Sequence, residues 1–457
     1  MRFSAVSLMC AALLWGTFFL KATVPIMLGL LAAAIVFYWS LMRGYRLDAI
    51  GLVLVLNMIF WLSSGLVVGS LGLSSFVSPG FYNGDGRILL SCLPLLALAV
   101  APVTTWELQK FIRQVQWVVV VSIAVYLFWL ITGNRALAGA GHADEFHAFF
   151  TSHTGSGTFF GCIAVFAIVF NAERIKRGQL LFALVLLGPV FSSGSREALV
   201  GVMAALGWFL FAKRKNPLVL LPILLLALAL VPAVEMMSNK AYNRTLGMFS
   251  QESLAGMTGQ VEAGIKSDWA VGDWNPEENN DKLETGDVTT LVRMMLWVYA
   301  GKRFVDSPIV GMGWGRYNDR QLALTDTPLF NIAFDGRRVF NTASAHNSYF
   351  HILAESGLLG MGLYLALWIA LFFRARKAET LFQPLQSVRA YFVACQALVV
   401  YLLACALTGH ALAAPSVMVP VVTILGVGAA YYRTAVAIGP PSADNPQEHT
   451  HDPKPIG

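Results

Sequence analysis

Three short stretches carry residues whose types suit transfer chemistry. The first is SAHNSYFHILAESGLLG (344–360), in which His346, Asn347 and Glu355 sit at the edge of an apolar segment. A neutral imidazole can take a proton from a hydroxyl, so His346 is the candidate general base. A helix beginning near 346 would place it in the first turn, where outward-pointing amides and the positive dipole end disfavour imidazolium. The competing reading is a helix-cap or interfacial histidine bonded to a neighbour. His351 points to another face and reads as structural. Glu355 is out of phase with His346 on a straight helix, so it is expected to anchor a neighbouring helix or loop rather than form a dyad.

The second stretch is FSSGSREALVG (191–201). Arg196 stands at the tip of an apolar hairpin, where a charge is costly and a role is the default expectation. Its planar fork suits bidentate recognition of phosphate, with a snorkelling arginine at the head-group level as the alternative. Ser195 is placed to cap the following helix, with Glu197 in its first turn. The third stretch, TTLVRMMLWVYAGKRF (289–304), puts Arg293 just before Trp297 and Tyr299. It could share a pyrophosphate with Arg196 or touch lipid head groups. Arg316 and Arg338 are lesser candidates for the same task, and Asn347 and Glu355 are possible supports.

These residues need elements to hold them, and the composition says which. The 457-residue chain is 56% hydrophobic and only 13% charged, with mean hydropathy +0.63. That is the composition of an all-α integral membrane protein. Hydropathy predicts about twelve spans, at 4–20, 24–42, 49–72, 88–103, 116–132, 156–172, 180–193, 197–212, 217–235, 357–374, 390–408 and 415–432. The seventh and eighth are short and could be one re-entrant hairpin. With the N-terminus inside, clusters such as Lys213–Arg214–Lys215 and Arg374–Arg376–Lys377 fall on inner segments, and the short outer loops hold only Lys21, Arg87, Arg135 and Arg196. Both termini are therefore expected on the cytoplasmic side. The expected organisation is spans one to nine over 1–235, an outer loop domain over 236–345, an edge helix with spans ten to twelve over 346–433, and a disordered tail over 434–457. The loop is acidic over 251–287 and basic afterwards. In it, Leu291, Met294, Met295 and Val298 recur at helical spacing, which predicts an interfacial amphipathic helix followed by a turn at Pro308.

Other motifs are weaker. The five cysteines all fall in apolar runs and read as buried hydrophobes. GHADEFH (141–147) lacks the histidine spacing of a helical zinc site, and WNPEENNDKLETGD (274–287) lacks the glycine of a calcium loop, so no metal is expected. Neither a P-loop nor a dinucleotide fingerprint is present, and the basic inner loops give no reason to invoke nucleic acid. A transporter or flippase would show midplane charges and related halves, which this chain lacks. A sensor or assembly subunit without activity stays open.

The segments SSGSREALVG, VRMMLW…SPIVGMGWGRYN and AHNSYFHILAESGLLGMGLY resemble, in kind and order, the O-antigen ligase / O-antigen polymerase superfamily of bacterial membrane glycosyltransferases. The resemblance covers about 180–375. It implies a GT-C-like bundle of some twelve spans in the bacterial inner membrane, with a large, mainly helical periplasmic loop between spans nine and ten. It further implies an undecaprenyl-diphosphate-linked glycan donor and, as acceptor, either a lipid A–core sugar (ligase) or another lipid-linked glycan (polymerase of O-antigen or exopolysaccharide). Inversion at the anomeric carbon, no nucleotide sugar and no metal or other cofactor complete what the resemblance implies.

Overall fold

The computed structural model describes residues 4–19, 23–69, 72, 86–139, 142–174, 176–213, 288–317, 333–334, 337–338 and 344–438. The predicted ninth span, the acidic part of the outer loop and the tail beyond 438 lie outside the described residues.

The described residues are mostly helical. In chain order the helices are α1 (Ala5–Phe18), α2 (Thr23–Met42), α3 (Ala49–Val67), α4 (Gly86–Leu98), α5 (Thr105–Thr132), α6 (His153–Glu173), α7 (Arg177–Leu184), α8 (Leu187–Ser192), α9 (Arg196–Lys213), α10 (Val288–Asp306), α11 (Ser348–Leu381), α12 (Gln386–Thr408) and α13 (Pro415–Ile438). Each predicted span except the ninth falls on this helical framework, the seventh being divided between α7 and α8. Six of the helices, α3, α5, α6, α11, α12 and α13, are long and apolar enough to cross a membrane. Two minimal antiparallel hairpins interrupt the pattern: β1 (Ala138–Gly139) with β2 (His142–Phe146), and β3 (Ala333–Phe334) with β4 (Arg337–Arg338).

An amphipathic helix shows polarity on one side, but a helix that is apolar all round belongs in an interior. Helix α6 is of the second kind: every residue from Ser156 to Asn171 is buried. It packs against α5, α8, α9, α12 and α13. By contrast α3 leaves Leu52, Leu56 and Ile59 exposed, and α5 leaves Trp117, Phe128 and Ile131 exposed, as lipid-facing helices do.

One end of the bundle is tied by charge. Arg374 of α11 pairs with Asp48, the N-cap of α3, and Arg433 of α13 lies 3.6 Å from the same carboxylate. Arg389 meets Glu173 at 2.7 Å, and Lys213 pairs with Glu379. Four of the basic residues assigned to inner segments by charge are thus paired at one end, and α9 and α11 begin at the other.

Helix α11 is not continuous. Gly357 has φ 60° and ψ −165°, which breaks the ladder. The segment after α10 repairs it. Met312 and Gly313 donate their N–H groups to the carbonyls of Ala354 and Glu355, at 2.9 and 3.0 Å. Leu358 and Leu359 donate to the carbonyls of Pro308 and Ile309, at 2.8 and 3.0 Å. Backbone groups freed by a break at membrane depth need such partners, because lipid offers none. The exchange requires close approach: a Cβ at Gly311 would overlap the Glu355 carbonyl, and one at Gly357 would overlap that of Ile309, both at positive φ.

The Glu355 side chain completes this clip by accepting from the N–H groups of Gly315 (2.9 Å) and Tyr317 (3.1 Å). Trp314 then stacks on Trp61 of α3, and the Tyr317 hydroxyl donates to the Leu296 carbonyl of α10. Gly357→Ala should destabilise the protein by at least about 2 kcal/mol, through positive φ and steric overlap together. A thermal melt in detergent checks this, and a melting temperature equal to wild type would count against the clip.

Candidate active site

The C-terminal end of α12 is where the candidate residues meet. A helix end leaves carbonyls without intrahelical donors, and here a different group takes each in turn. The Asn347 amide donates to Leu407 at 2.9 Å, Arg293 Nη1 donates to Thr408 at 3.2 Å, and the Ser348 N–H donates to Gly409 at 3.1 Å. The negative dipole end also favours the guanidinium electrostatically. Ser348 Oγ closes the junction by donating to Gly409 and accepting from the Leu412 N–H.

His346 does not occupy the first turn of α11, as the sequence reading expected. Asn347 is the N-cap, its side-chain oxygen accepting from the N–H groups of Tyr349 and Phe350. His346 lies one residue before the cap, in left-handed backbone with φ 49°. The first-turn amides are thus spent on Asn347, and the imidazole is kept neutral by other means. Partial burial, and then the nearby Arg293 cation, hold its pKa down at about 4.

Arg293 is placed by α10. Leu296, Tyr299 and Ala300 of that helix are buried together with Tyr317, Ala345 and Ala354. Trp297 Nε1 donates to the Ala345 carbonyl at 2.8 Å, directly before His346. Arg293 is one turn from Leu296 and Trp297, so it lies on the face turned to α11. The side chains of Leu291, Met294, Met295 and Val298, the stripe expected to be apolar, lie outside the described residues.

Arg196 opens α9 after Gly194 in left-handed backbone, with the buried Ser195 Oγ accepting the Ala198 N–H at 3.3 Å. The Arg196 side chain is half-buried. Its neighbour Glu197 is buried with its carboxylate pressed against Gly409, and Arg293 acts on it electrostatically. One guanidinium, Arg293, therefore faces both His346 and Glu197, and Arg196 adjoins that group through the chain.

Among the supporting candidates, Asn347 is a cap and Glu355 is engaged with the clip, 3.5 Å from His351 Nε2. The Arg316 N–H donates to the Gly313 carbonyl, inside the clip loop. Arg338 belongs to the β3–β4 hairpin, and its side chain lies outside the described residues. The sequence reading did not select Glu197 for the site, and its only local signal was an acidic residue beside Arg196. His410, whose ring centroid is 4.7 Å from that of buried His351, had no such signal.

Residues 180–365 match the O-antigen ligase family model, a span that runs from the α7–α8 region to α11 and includes Arg196, Arg293, His346 and Glu355. This part of the chain is similar to the O-antigen ligase family. The resemblance to the O-antigen ligase/polymerase superfamily is thereby supported, and members of that superfamily are membrane glycosyltransferases. Among curated proteins none matches the chain significantly. The O-antigen ligase match ends within α11, so it takes in the clip as well as the three candidate residues.

Asn347→Ala should cost about 1–2 kcal/mol, from the lost N-cap and the lost bond to Leu407. Asn347→Asp keeps the capping acceptor but sets a carboxylate oxygen against the Leu407 carbonyl, so it should not restore stability, and thermal melts of both variants check the assignment.

Proposed function

We propose that the chain transfers a glycan from a lipid diphosphate, undecaprenyl diphosphate in bacteria, to a sugar hydroxyl at the periplasmic face of the inner membrane. What supports this reading is one observation: Arg293 acts electrostatically on both half-buried His346 and Glu197, the latter next to Arg196 at the start of α9. In the proposed reaction His346 takes the acceptor hydroxyl's proton as its oxygen attacks the anomeric carbon. The bond from that carbon to the diphosphate oxygen breaks, and the electron pair leaves with the lipid diphosphate. Displacement from the opposite face inverts the anomeric centre. Arg196 and Arg293 meet the charge that develops on the leaving group, where preorganised donors count most. Two guanidinium groups supply the positive charge that a divalent ion would otherwise bring, so the transfer step is assigned no metal.

The proposed acceptor is a lipid A–core hydroxyl, with another lipid-linked glycan as the alternative. A deletion strain tests it. Loss of surface polymer with lipid-linked polymer retained fits a ligase, and a single capped repeat on the surface would instead mean a polymerase.

His346→Ala should lower kcat by about 10²–10⁴-fold while leaving binding of the lipid-linked donor intact, measured with purified protein. Arg196→Lys should also be poor, because an ammonium lacks the planar fork. Unchanged donor affinity in Arg196→Ala would refute its diphosphate role.

The lowered pKa of His346 sets a pH prediction. The imidazole is neutral above about 4 in the free protein, so the acid limb of kcat/KM attributable to it should lie near there and not near 6.5. Removing the positive neighbour with Arg293→Gln should move that limb to higher pH, and a limb that stays put would reject the coupling. The same shift means that the stability His346 contributes is present above its unfolded pKa and is lost as pH falls from about 6.5 towards 4.

A further inference from the structure

A second polar cluster lies in the segment leading to α6, and the transfer chemistry makes no use of it. Strand β2 alternates its side chains, so Phe146 points away from Glu145 and His147. Phe146 is buried against Tyr126, Trp129 and Phe160. Its carbonyl accepts the Ser156 hydroxyl at 3.1 Å, which fixes the strand end to α6. Glu145 and His147 are thereby turned together on the other side, both buried, with His147 Nε2 3.3 Å from Glu145 Oε2. Ala148, in left-handed backbone at φ 49°, turns the chain towards α6. His153, the first residue of that helix, brings its ring centroid to 6.2 Å from that of His147. The three candidate ligand atoms all lie within 4.8 Å of one another. The sequence reading set GHADEFH aside for its spacing within one segment; the third residue comes from the next element.

We propose that Glu145, His147 and His153 bind a single divalent ion of the zinc class. Two imidazole nitrogens and one carboxylate oxygen are a donor set that zinc accepts, with a fourth position left to water. In a tetrahedral site with bonds of about 2.0–2.1 Å the ligand atoms are roughly 3.3 Å apart. The Glu145–His147 pair already meets that spacing, and half-exposed His153 closes the remainder by a small ring movement.

The ion's role is to brace. Gly157, one turn beyond His153 and about 6 Å along the axis, abuts Ser195, immediately before Arg196. Clamping the hairpin to the start of α6 therefore supports the surface on which the Arg196 tip rests.

The test uses the full chain, purified in detergent with a tag free of histidine, exposed to zinc chloride and then freed of excess. Wild type should retain about one zinc per chain by elemental analysis, and zinc should raise its melting temperature. The His147→Ala/His153→Ala variant should lose both effects; His449 and His451 of the tail remain in it, so a difference reports the cluster. Equal zinc content in that variant, or none above background in wild type, overturns the proposal. Should that variant fail to fold, Glu145→Gln keeps the shape and is compared by the visible spectrum of bound cobalt(II). A changed or absent spectrum supports the site, and one identical to wild type overturns it.

Discussion

The backbone exchange between residues 308–313 and the break in α11 is the constraint on which the site depends. A helix interrupted at Gly357 leaves amides and carbonyls that neither lipid nor its own ladder can satisfy. The segment that satisfies them follows directly on α10, so the repair also fixes where α10 lies. Because α10 carries Arg293, those main-chain hydrogen bonds help set the position of a candidate charged group, alongside its own bond to the Thr408 carbonyl. Glu355 reinforces the arrangement with a carboxylate that accepts from two backbone amides, a stronger bond type than a neutral acceptor would make.

The end of α12 applies the same economy of polar groups. Its last carbonyls are taken by Arg293 of α10 and by the residues capping α11, and the turn that leads to α13 joins through the bond from the Leu412 N–H to Ser348 Oγ. Three segments that are distant in sequence, α10, the cap of α11 and the end of α12 with its turn, meet there, and His346 sits at the edge of that meeting. Its charge state follows from what surrounds it: partial removal from water and a fixed cation both favour the neutral ring. A bound diphosphate would oppose the cation's effect, so the imidazole would grow more basic as donor and acceptor come together.

Much of the framework was legible in the sequence because bilayer crossing demands long apolar runs, and basic residues mark their ends. Residues such as Lys213, Arg374 and Arg389 fall together in space as the charge pattern required. The tenth span is predicted to begin at 357, where α11 breaks, but the break in the ladder was not legible, since the repairing partners lie far upstream. The cap was half legible: Asn347 is a favoured capping type, yet attention to His346 placed the helix start about two residues early. Arg293 beside His346, and His153 beside Glu145, are products of tertiary folding that residue spacing within one segment does not encode.

The left-handed backbone at His346 has a consequence for biogenesis and for evolution of the site alike. Few residue types other than glycine, asparagine, aspartate and histidine settle comfortably at φ 49°, so the local geometry itself narrows what can replace this imidazole. During synthesis, moreover, residues 308–313 emerge before α11 exists. The repairing segment must therefore wait for the helix it completes before the break can close.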